Sequence, residues 1–220
     1  MNFPALWLSL QLATCTTAVL LVIGLPLAAW LARAKFRGKF FVESIVALPL
    51  VLPPTVLGFY LLMATGPHSA FGRGYEALTG GRLPFSFAGI LVGSVIYNLP
   101  FAVRPFIAAL AAVDQRLIEA SWCLGVSRRE TFFRVTLPLS WPGILAGLVL
   151  TFAHSLGEFG IVLMMGGNIP GVTRTLSVSI YDDVQAQNYH SAGMAAGFLV
   201  LFSLVMLSLS SLCGRRVLAA

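Results

Sequence analysis

Charged residues are scarce in this 220-residue chain: they make up 10% of it, whereas a soluble domain carries about a quarter. Hydrophobic residues make up 58%. A helix needs about 20 apolar residues to cross a hydrocarbon layer about 30 Å thick, and several segments meet that requirement. The composition therefore excludes an ordinary soluble domain and predicts an all-α protein that crosses a membrane several times.

The residues that build metal sites, disulfides and catalytic centres are also few. The cysteines, Cys15, Cys123 and Cys213, are far apart and show no ligand spacing, so we expect no metal site and no disulfide framework. No glycine-rich phosphate loop ending in Lys-Ser or Lys-Thr occurs, so the chain is not expected to bind ATP in that way. We therefore predict no catalytic residues and no cofactor bound by this chain.

Five apolar segments predict five membrane spans. They cover 6–31, 45–64, 85–103, 143–165 and 192–213. The second span is interrupted by Pro49, Pro53 and Pro54, each of which removes a helix hydrogen bond. Its first part can therefore lie along the membrane before the chain turns upward, and the third span can continue as a helix as far as Val113.

The basic residues predict the direction of these spans. Eleven of the fourteen lie in the loops after spans one and three and in the tail with Arg215 and Arg216, whereas the other faces hold only three. Because Lys and Arg are enriched in cytoplasmic loops, the N-terminus is predicted outside and the C-terminus inside. The net charge of +6 follows from this topology, so nucleic acid is not an expected partner.

One connection, 114–142, is neither apolar enough to span the membrane nor polar enough to be a flexible linker. Gly125 separates two short helical runs in it, and Ser127 followed by Glu130 has the form of a capping box. A helix–turn–helix on the cytoplasmic face is the economical interpretation. Its apolar residues, which recur among charges at helical spacing, would need a protein partner.

A motif in this connection carries a resemblance to a known family. Its residues, at fixed spacings, are Glu119, Ala120, Ser121, Gly125, Val135, Leu137 and Pro138. The pattern resembles the EAA loop of ABC importer permeases, with Ser121 in place of the third alanine and Val135 in place of isoleucine. The resemblance implies that these residues form coupling helices that seat in a cleft of a separate ATPase subunit. The small residues and Gly125, which permits a tight turn, fit that docking role.

Further segments resemble the oxyanion permeases of that family. They are 37–39, 48–58, 155–160 and 167–175. They look like molybdate permeases, and parts are shared with sulfate and tungstate permeases; the Asn-Ile-Pro-Gly-x-Thr-Arg-Thr run favours molybdate. The resemblance implies a type I fold in which two copies of the chain surround one pore in the bacterial inner membrane. Two ATPase subunits would lie below and a periplasmic oxyanion-binding protein above.

Other cargoes and another class of protein remain as alternatives. Sulfate, thiosulfate or tungstate would fit the same shared segments. A secondary transporter would normally show more spans, internal repeats and discontinuous helices at the membrane midplane. Five spans with a docking loop argue against that class.

Glu158 is the only acid predicted inside a span, and an ionisable residue there is costly and usually functional. An ionised carboxylate on the path would repel a dianion, so we expect Glu158 to be hydrogen-bonded or paired, in helix packing or gate stabilisation; direct contact with the cargo is the alternative. Gly157 and Gly160 beside it are expected to allow close helix approach. Asn98 either loosens its helix beside a water-filled path or packs in the interior.

The predicted outer face, between spans four and five, holds a second candidate site. Arg174 lies there with Thr173 and Thr175. These three residues are candidates for contact with the binding protein, and the alternative is that Arg174 only anchors its loop.

Overall fold

The computed structural model describes residues 2–218 of the chain, and the side chains of residues 2–208. The side chains of Arg215 and Arg216, which entered the charge count, lie outside that part. The helices are α1 (Phe3–Arg33), α2 (Lys39–Val51), α3 (Pro54–Thr65), α4 (Ala70–Thr79), α5 (Phe87–Ala111), α6 (Gln115–Cys123), α7 (Arg128–Thr131), α8 (Leu137–Leu156), α9 (Gly160–Gly166), α10 (Leu176–Gln185) and α11 (Tyr189–Leu218). A π-helical turn, Phe132–Thr136, joins α7 to α8 without a break.

Four helical runs in the described part of the chain are long and apolar enough to cross a membrane. They are α1, α5, the run Arg128–Leu156, and α11 over Tyr189–Ser208. α2 and α3 together meet the same test as a pair bent by 111°, which brings the number of spans to as many as five. The predicted class, an all-α protein with several membrane-spanning helices, is confirmed.

The second predicted span is broken in the middle by its prolines. Leu52 and Pro53 are extended, with ψ of 136° and 135°. Each of them precedes a proline, whose ring disfavours the helical conformation of the residue before it. Pro54 then takes the first position of α3, where its missing N–H leaves no helix bond unmade.

The fourth predicted span, 143–165, is not one continuous helix, so that prediction was wrong. α8 begins earlier, at Leu137, and ends at Leu156; α9 begins only at Gly160. Gly157 caps α8, and the chain then turns Glu158 towards the interior, where α5 offers it hydrogen-bond donors. A break of this kind is tolerated at membrane depth only where protein buries it or a cavity lies beside it.

Two apolar cores lie along the bundle. One core joins the second half of α1 to the second half of α5 around Leu31, Phe106 and Ile144. The other joins the first half of α1 to the start of α5 and to α9, with Leu12 and Ile161 fully or almost fully buried. The stretch of α5 between the two cores carries the buried polar side chains described below.

Candidate functional site

The connection between α5 and α8 is a compact helical hairpin of α6 and α7. Gly125, at its tip, has a φ of +79°, a left-handed conformation that costs a residue with a Cβ about 1–2 kcal/mol. The turn is closed by a hydrogen bond from the Val126 N–H to the Ser121 carbonyl at 3.2 Å. The tight turn predicted at Gly125 is therefore confirmed.

Side-chain bonds inside the hairpin hold its two helices together. The hydroxyl oxygens of Ser121 and Thr131, both buried, lie 2.9 Å apart. Ser127 accepts a hydrogen bond from the Glu130 N–H at 3.2 Å, which is the N-cap half of the predicted capping box. The Glu130 carboxylate does not return to the cap, because it pairs with Arg134 at 3.0 Å.

The hairpin presents large apolar side chains on its surface. The exposed ones are Leu117, Trp122, Leu124 and Phe133. Leu124 beside the turn is the most exposed of them, at 84%. Of the motif residues, Glu119, Ala120, Gly125 and Pro138 are also exposed. Ser121 is buried and Val135 and Leu137 are half-buried, so these three shape the hairpin and offer little surface to a partner.

The break between α8 and α9 holds a buried polar cluster around Glu158, which is 5% exposed. The Ser94 hydroxyl donates to Glu158 Oε2 at 2.5 Å, and Asn98 Nδ2 donates to the same oxygen at 2.9 Å. The other oxygen, Oε1, has no hydrogen-bond partner among the described residues. Glu158 is therefore hydrogen-bonded, as predicted.

Asn98 is fully buried in an unbroken α5, which favours the packing alternative for this residue. Its Nδ2 is engaged as a donor, so its Oδ1 is the atom that faces His154 Nδ1, at 2.8 Å. An amide oxygen only accepts hydrogen bonds, and the ring nitrogen is therefore the donor. The His154 ring stacks on Phe101 with ring centroids 3.8 Å apart. The sequence analysis assigned no role to His154, although it lies only four positions before Glu158.

A cavity of about 500 Å³ lies between the break in the α8–α9 run and the start of α3. Its lining includes Pro54, Thr55, Tyr97, His154 and Glu158. The two broken helices therefore face each other across this cavity. Asn98 does not line it; it holds two side chains that do.

The two glycines beside Glu158 differ. A Cβ on Gly160 would lie 2.9 Å from the Cβ of Pro54, so the close helix approach predicted there is confirmed. A Cβ on Gly157 would meet nothing nearer than the His154 carbonyl oxygen at 3.9 Å. The same prediction was wrong for Gly157, because that residue ends α8 on the open side of the break.

On the predicted outer face, the threonines are part of the interior. Thr173 is fully buried, and its hydroxyl donates to the Gly166 carbonyl at 2.7 Å. Thr175 is 2% exposed. The expectation that these two side chains contact a separate binding protein was wrong, because the loop folds back and covers them.

Arg174 is held by its own loop. Its Nε donates to Asn168 Oδ1 at 2.6 Å and lies 3.6 Å from Asp182 Oδ2. Asn168 in turn donates to both oxygens of Asp182, at 2.8 and 2.7 Å. This arrangement favours the loop-anchoring alternative, although the Arg174 side chain stays 29% exposed.

The sequence also matches a family of known proteins. The model for the binding-protein-dependent transport system inner membrane component matches residues 24–219. The chain belongs to this family. It is therefore a membrane component of a transport system and not an enzyme, and the conclusion agrees with its membrane-spanning helices.

Curated relatives resemble the chain over nearly its whole length. The molybdenum transport system permease protein ModB of Azotobacter vinelandii is 51% identical over 206 residues, which cover 94% of this chain and 91% of the relative. ModB of Escherichia coli (strain K12) is 38% identical over 208 residues, covering 94% and 90%. A probable sulfate transport system permease protein of Chlorella vulgaris is 32% identical over 202 residues, covering 92% and 76%.

Solved ABC transporters share the fold. A bacterial importer of the acidic polysaccharide alginate matches with a TM-score of 0.75 and 20% identity, covering 97% of this chain and 79% of that chain. The methionine transporter MetNI, in inward-facing conformations, matches with a TM-score of 0.74 and 20% identity, covering 99% and 96%. These likenesses show the fold, which is the transmembrane domain of a type I ABC importer.

Proposed function

We propose that this chain is the permease subunit of an ABC importer for molybdate. The observation that carries the proposal is the 51% identity to a molybdenum permease over 94% of the chain. The shared length includes both helix breaks, the cavity between them and the α6–α7 hairpin. In this role the chain binds no cofactor of its own.

The assembly we propose contains two copies of the chain around one pore, with an ATPase pair on the α6–α7 side and a periplasmic oxyanion-binding protein on the opposite side. The charges support this orientation. The hairpin and its approach carry Arg116, Arg128, Arg129 and Arg134, whereas the opposite loop 167–175 carries only Arg174. Basic residues of this kind are retained on the cytoplasmic side.

The α6–α7 hairpin is the proposed contact with the ATPase. Leu124 and Leu117 expose 84% and 50% of their surface. The hairpin that carries them is held together by the hydrogen bond between the buried hydroxyls of Ser121 and Thr131. Exposed apolar side chains on a well-braced element are typical of a protein interface. Glu119 and Gly125 are exposed as well.

A continuous helix would carry motion from this contact to the pore. The run Arg128–Leu156 has 29 residues, so it extends about 43 Å at 1.5 Å per residue. It begins in the hairpin and ends at the break beside Glu158. A tilt imposed by ATP-driven closure of the ATPase pair would therefore displace the cavity wall, and we place the gate at the two facing breaks.

Glu158 has a bracing role in this scheme. Two donors on α5, Ser94 and Asn98, already occupy one of its oxygens, and a carboxylate would repel a dianionic cargo at close range. The carboxylate then holds the break against α5 and leaves anion selection to the binding protein.

Transport measured in cells tests this function. The chain is expressed with its ATPase and binding protein in a bacterium that lacks its own molybdate permease, and uptake of labelled molybdate is followed. We expect uptake that tungstate competes with and sulfate does not. Competition by sulfate without competition by tungstate would assign the chain to sulfate transport, the second candidate that the Chlorella relative supports.

A further inference from the structure

A basic crevice lies where the end of α1 and the α1–α2 connection meet the α6–α7 hairpin. It has a volume of about 800 Å³. Its charged lining consists of four cations, Arg33, Lys35, Lys39 and Arg128, and one acid, Glu119. Four cations from two separate parts of the chain therefore converge on one opening with a single acid.

Only some of the cations in this crevice form hydrogen bonds or ion pairs with other residues of the chain. Arg33 donates to Thr136 Oγ1 at 2.8 Å, and Lys39 Nζ lies 3.7 Å from Glu43 Oε1. Lys35 and Arg128 form no ion pair with any of the described residues, and Arg128 lies 5.3 Å above the Trp122 ring. At least two cations thus face the opening outside any ion pair, and the one acid in the lining, Glu119, balances only one of the four cations; this excess of positive charge favours an anionic ligand.

The surroundings of the crevice indicate its depth in the membrane. Phe36, Phe40 and Phe41 beside it are 40%, 78% and 65% exposed, and Trp30 stacks on Phe36 with ring centroids 5.3 Å apart. Trp30 is itself 50% exposed, and an exposed Trp next to Lys and Arg at a span end is typical of the headgroup layer. An anion held here would therefore lie at the level of lipid phosphates.

The charge rule for cytoplasmic loops does not by itself produce this arrangement. Arg37, Arg116 and Arg129 belong to the same loops and obey the same rule, yet none of them lines the crevice. The convergence of the other cations requires the hairpin to fold back towards the end of α1.

We propose that the crevice binds the phosphate headgroup of an anionic phospholipid of the cytoplasmic leaflet. The bound headgroup links the α1–α2 connection to the α6–α7 hairpin through Lys35 and Arg128 and so limits the movement of the hairpin. Basic pockets between helices on the cytoplasmic side bind such headgroups. The inference rests on the proposed orientation, with the hairpin in the cytoplasm, and does not depend on which anion is transported.

The test uses the complete complex with its ATPase in nanodiscs of phosphatidylcholine, with and without phosphatidylglycerol. Retained phosphatidylglycerol is counted by native mass spectrometry, and the change that this lipid causes in the rate of ATP hydrolysis is measured in the same samples. In the double variant Lys35→Gln with Arg128→Gln we expect a several-fold loss of both. The matched control is Arg37→Gln with Arg129→Gln, which removes the same charge from adjacent positions and should retain the lipid.

Three results would overturn the proposal. Equal loss of lipid in the two double variants would show that only general surface charge attracts the lipid. Binding of inorganic phosphate to the complex in detergent, lost in the Lys35 and Arg128 variant, together with unchanged lipid retention, would assign the crevice to a free anion. Loss of the ATPase subunit from that variant in pure phosphatidylcholine would assign the cations to the ATPase contact. Failure of molybdate uptake would change neither the lipid retention nor the ATP hydrolysis that this test measures.

Discussion

The hydroxyl of Ser94 and the carboxylate of Glu158, 64 residues apart in the chain, form a hydrogen bond of 2.5 Å between α5 and the break that separates α8 from α9. Asn98 donates to the same carboxylate oxygen from the next turn of α5. Both donors are fully buried, so neither can turn to water if the carboxylate is removed. The break is therefore attached to α5 at a point that borders the cavity.

The first prediction separates the hydrogen bonds of Glu158 from its charge. Glu158→Gln keeps an oxygen that can accept from Ser94 and Asn98, so we expect thermal stability and molybdate uptake close to those of the unchanged protein. Glu158→Ala removes the acceptor of the Ser94 hydroxyl and of one Asn98 N–H, at about 1–3 kcal/mol for each group left unpaired, whereas the other Asn98 N–H keeps the Ser94 carbonyl at 2.8 Å. The measurements are thermal unfolding of the purified chain and uptake in cells. A folded Gln variant without uptake would contradict the bracing role and indicate an essential charge.

The second prediction concerns the contact between the two broken helices. Gly160→Ala places a Cβ 2.9 Å from that of Pro54, so α3 and α9 must separate slightly; overpacking of this kind costs about 1–3 kcal/mol. Gly157→Ala is the matched control, because its Cβ has no neighbour within 3.9 Å. We expect a lower unfolding temperature and reduced uptake for Gly160→Ala only. Equal effects of the two variants would mean that the packing across the cavity is not the cause.

The third prediction tests the ATPase contact at the tip of the hairpin. Leu124 is 84% exposed, so Leu124→Asp should leave the chain folded and remove apolar surface from the interface. We expect the ATPase subunit to be lost from the purified complex. Leu78→Asp in α4 is the control, since Leu78 is 89% exposed and lies in the connection between α3 and α5, away in sequence from the hairpin. Retention of the ATPase by the Leu124 variant would place the contact elsewhere.

The fourth prediction addresses the outer loop. Asn168→Ala removes the amide that joins Asp182 to Arg174, so we expect faster hydrogen exchange in the backbone of 168–175. The bonds lost involve charged partners, and such bonds contribute about 1.5–3 kcal/mol. Asn188→Ala removes two longer bonds, one donated to Asp183 and one accepted from the Ser191 N–H, each of 3.4 Å, and should leave that loop unchanged. Unchanged exchange in the Asn168 variant would contradict the anchoring role of this cluster.

Local signals predicted several elements well. The hydrophobic runs of α1 and α5 were visible because a membrane-spanning helix is specified by the composition of its own residues. The interruption at Pro53 was visible for a similar reason, since a proline acts on the residue beside it. The turn at Gly125 was visible because few other residues adopt a φ of +79° without strain.

The break at 157–159 and the role of His154 could not be predicted from the neighbouring residues in the sequence. At the break, Glu158 is hydrogen-bonded to Asn98 and Ser94 on α5, which lie 60 and 64 residues away in sequence. His154 becomes part of the cluster only through Asn98, which comes from the same distant helix. The burial of Thr173 likewise depends on the Gly166 carbonyl, which the loop reaches only after it folds back.

The sequence by itself determined the membrane class, the approximate spans, the turn of the α6–α7 hairpin and the family resemblance, because each depends on composition or on spacing along the chain. The tertiary structure decided which residues face each other: the two broken helices across a cavity, and Glu158 against Ser94 and Asn98. It also decided that Arg174 is held by Asn168. The physical reason is that a buried polar group is stable only beside its partner, and those partners lie on other helices or across a folded loop.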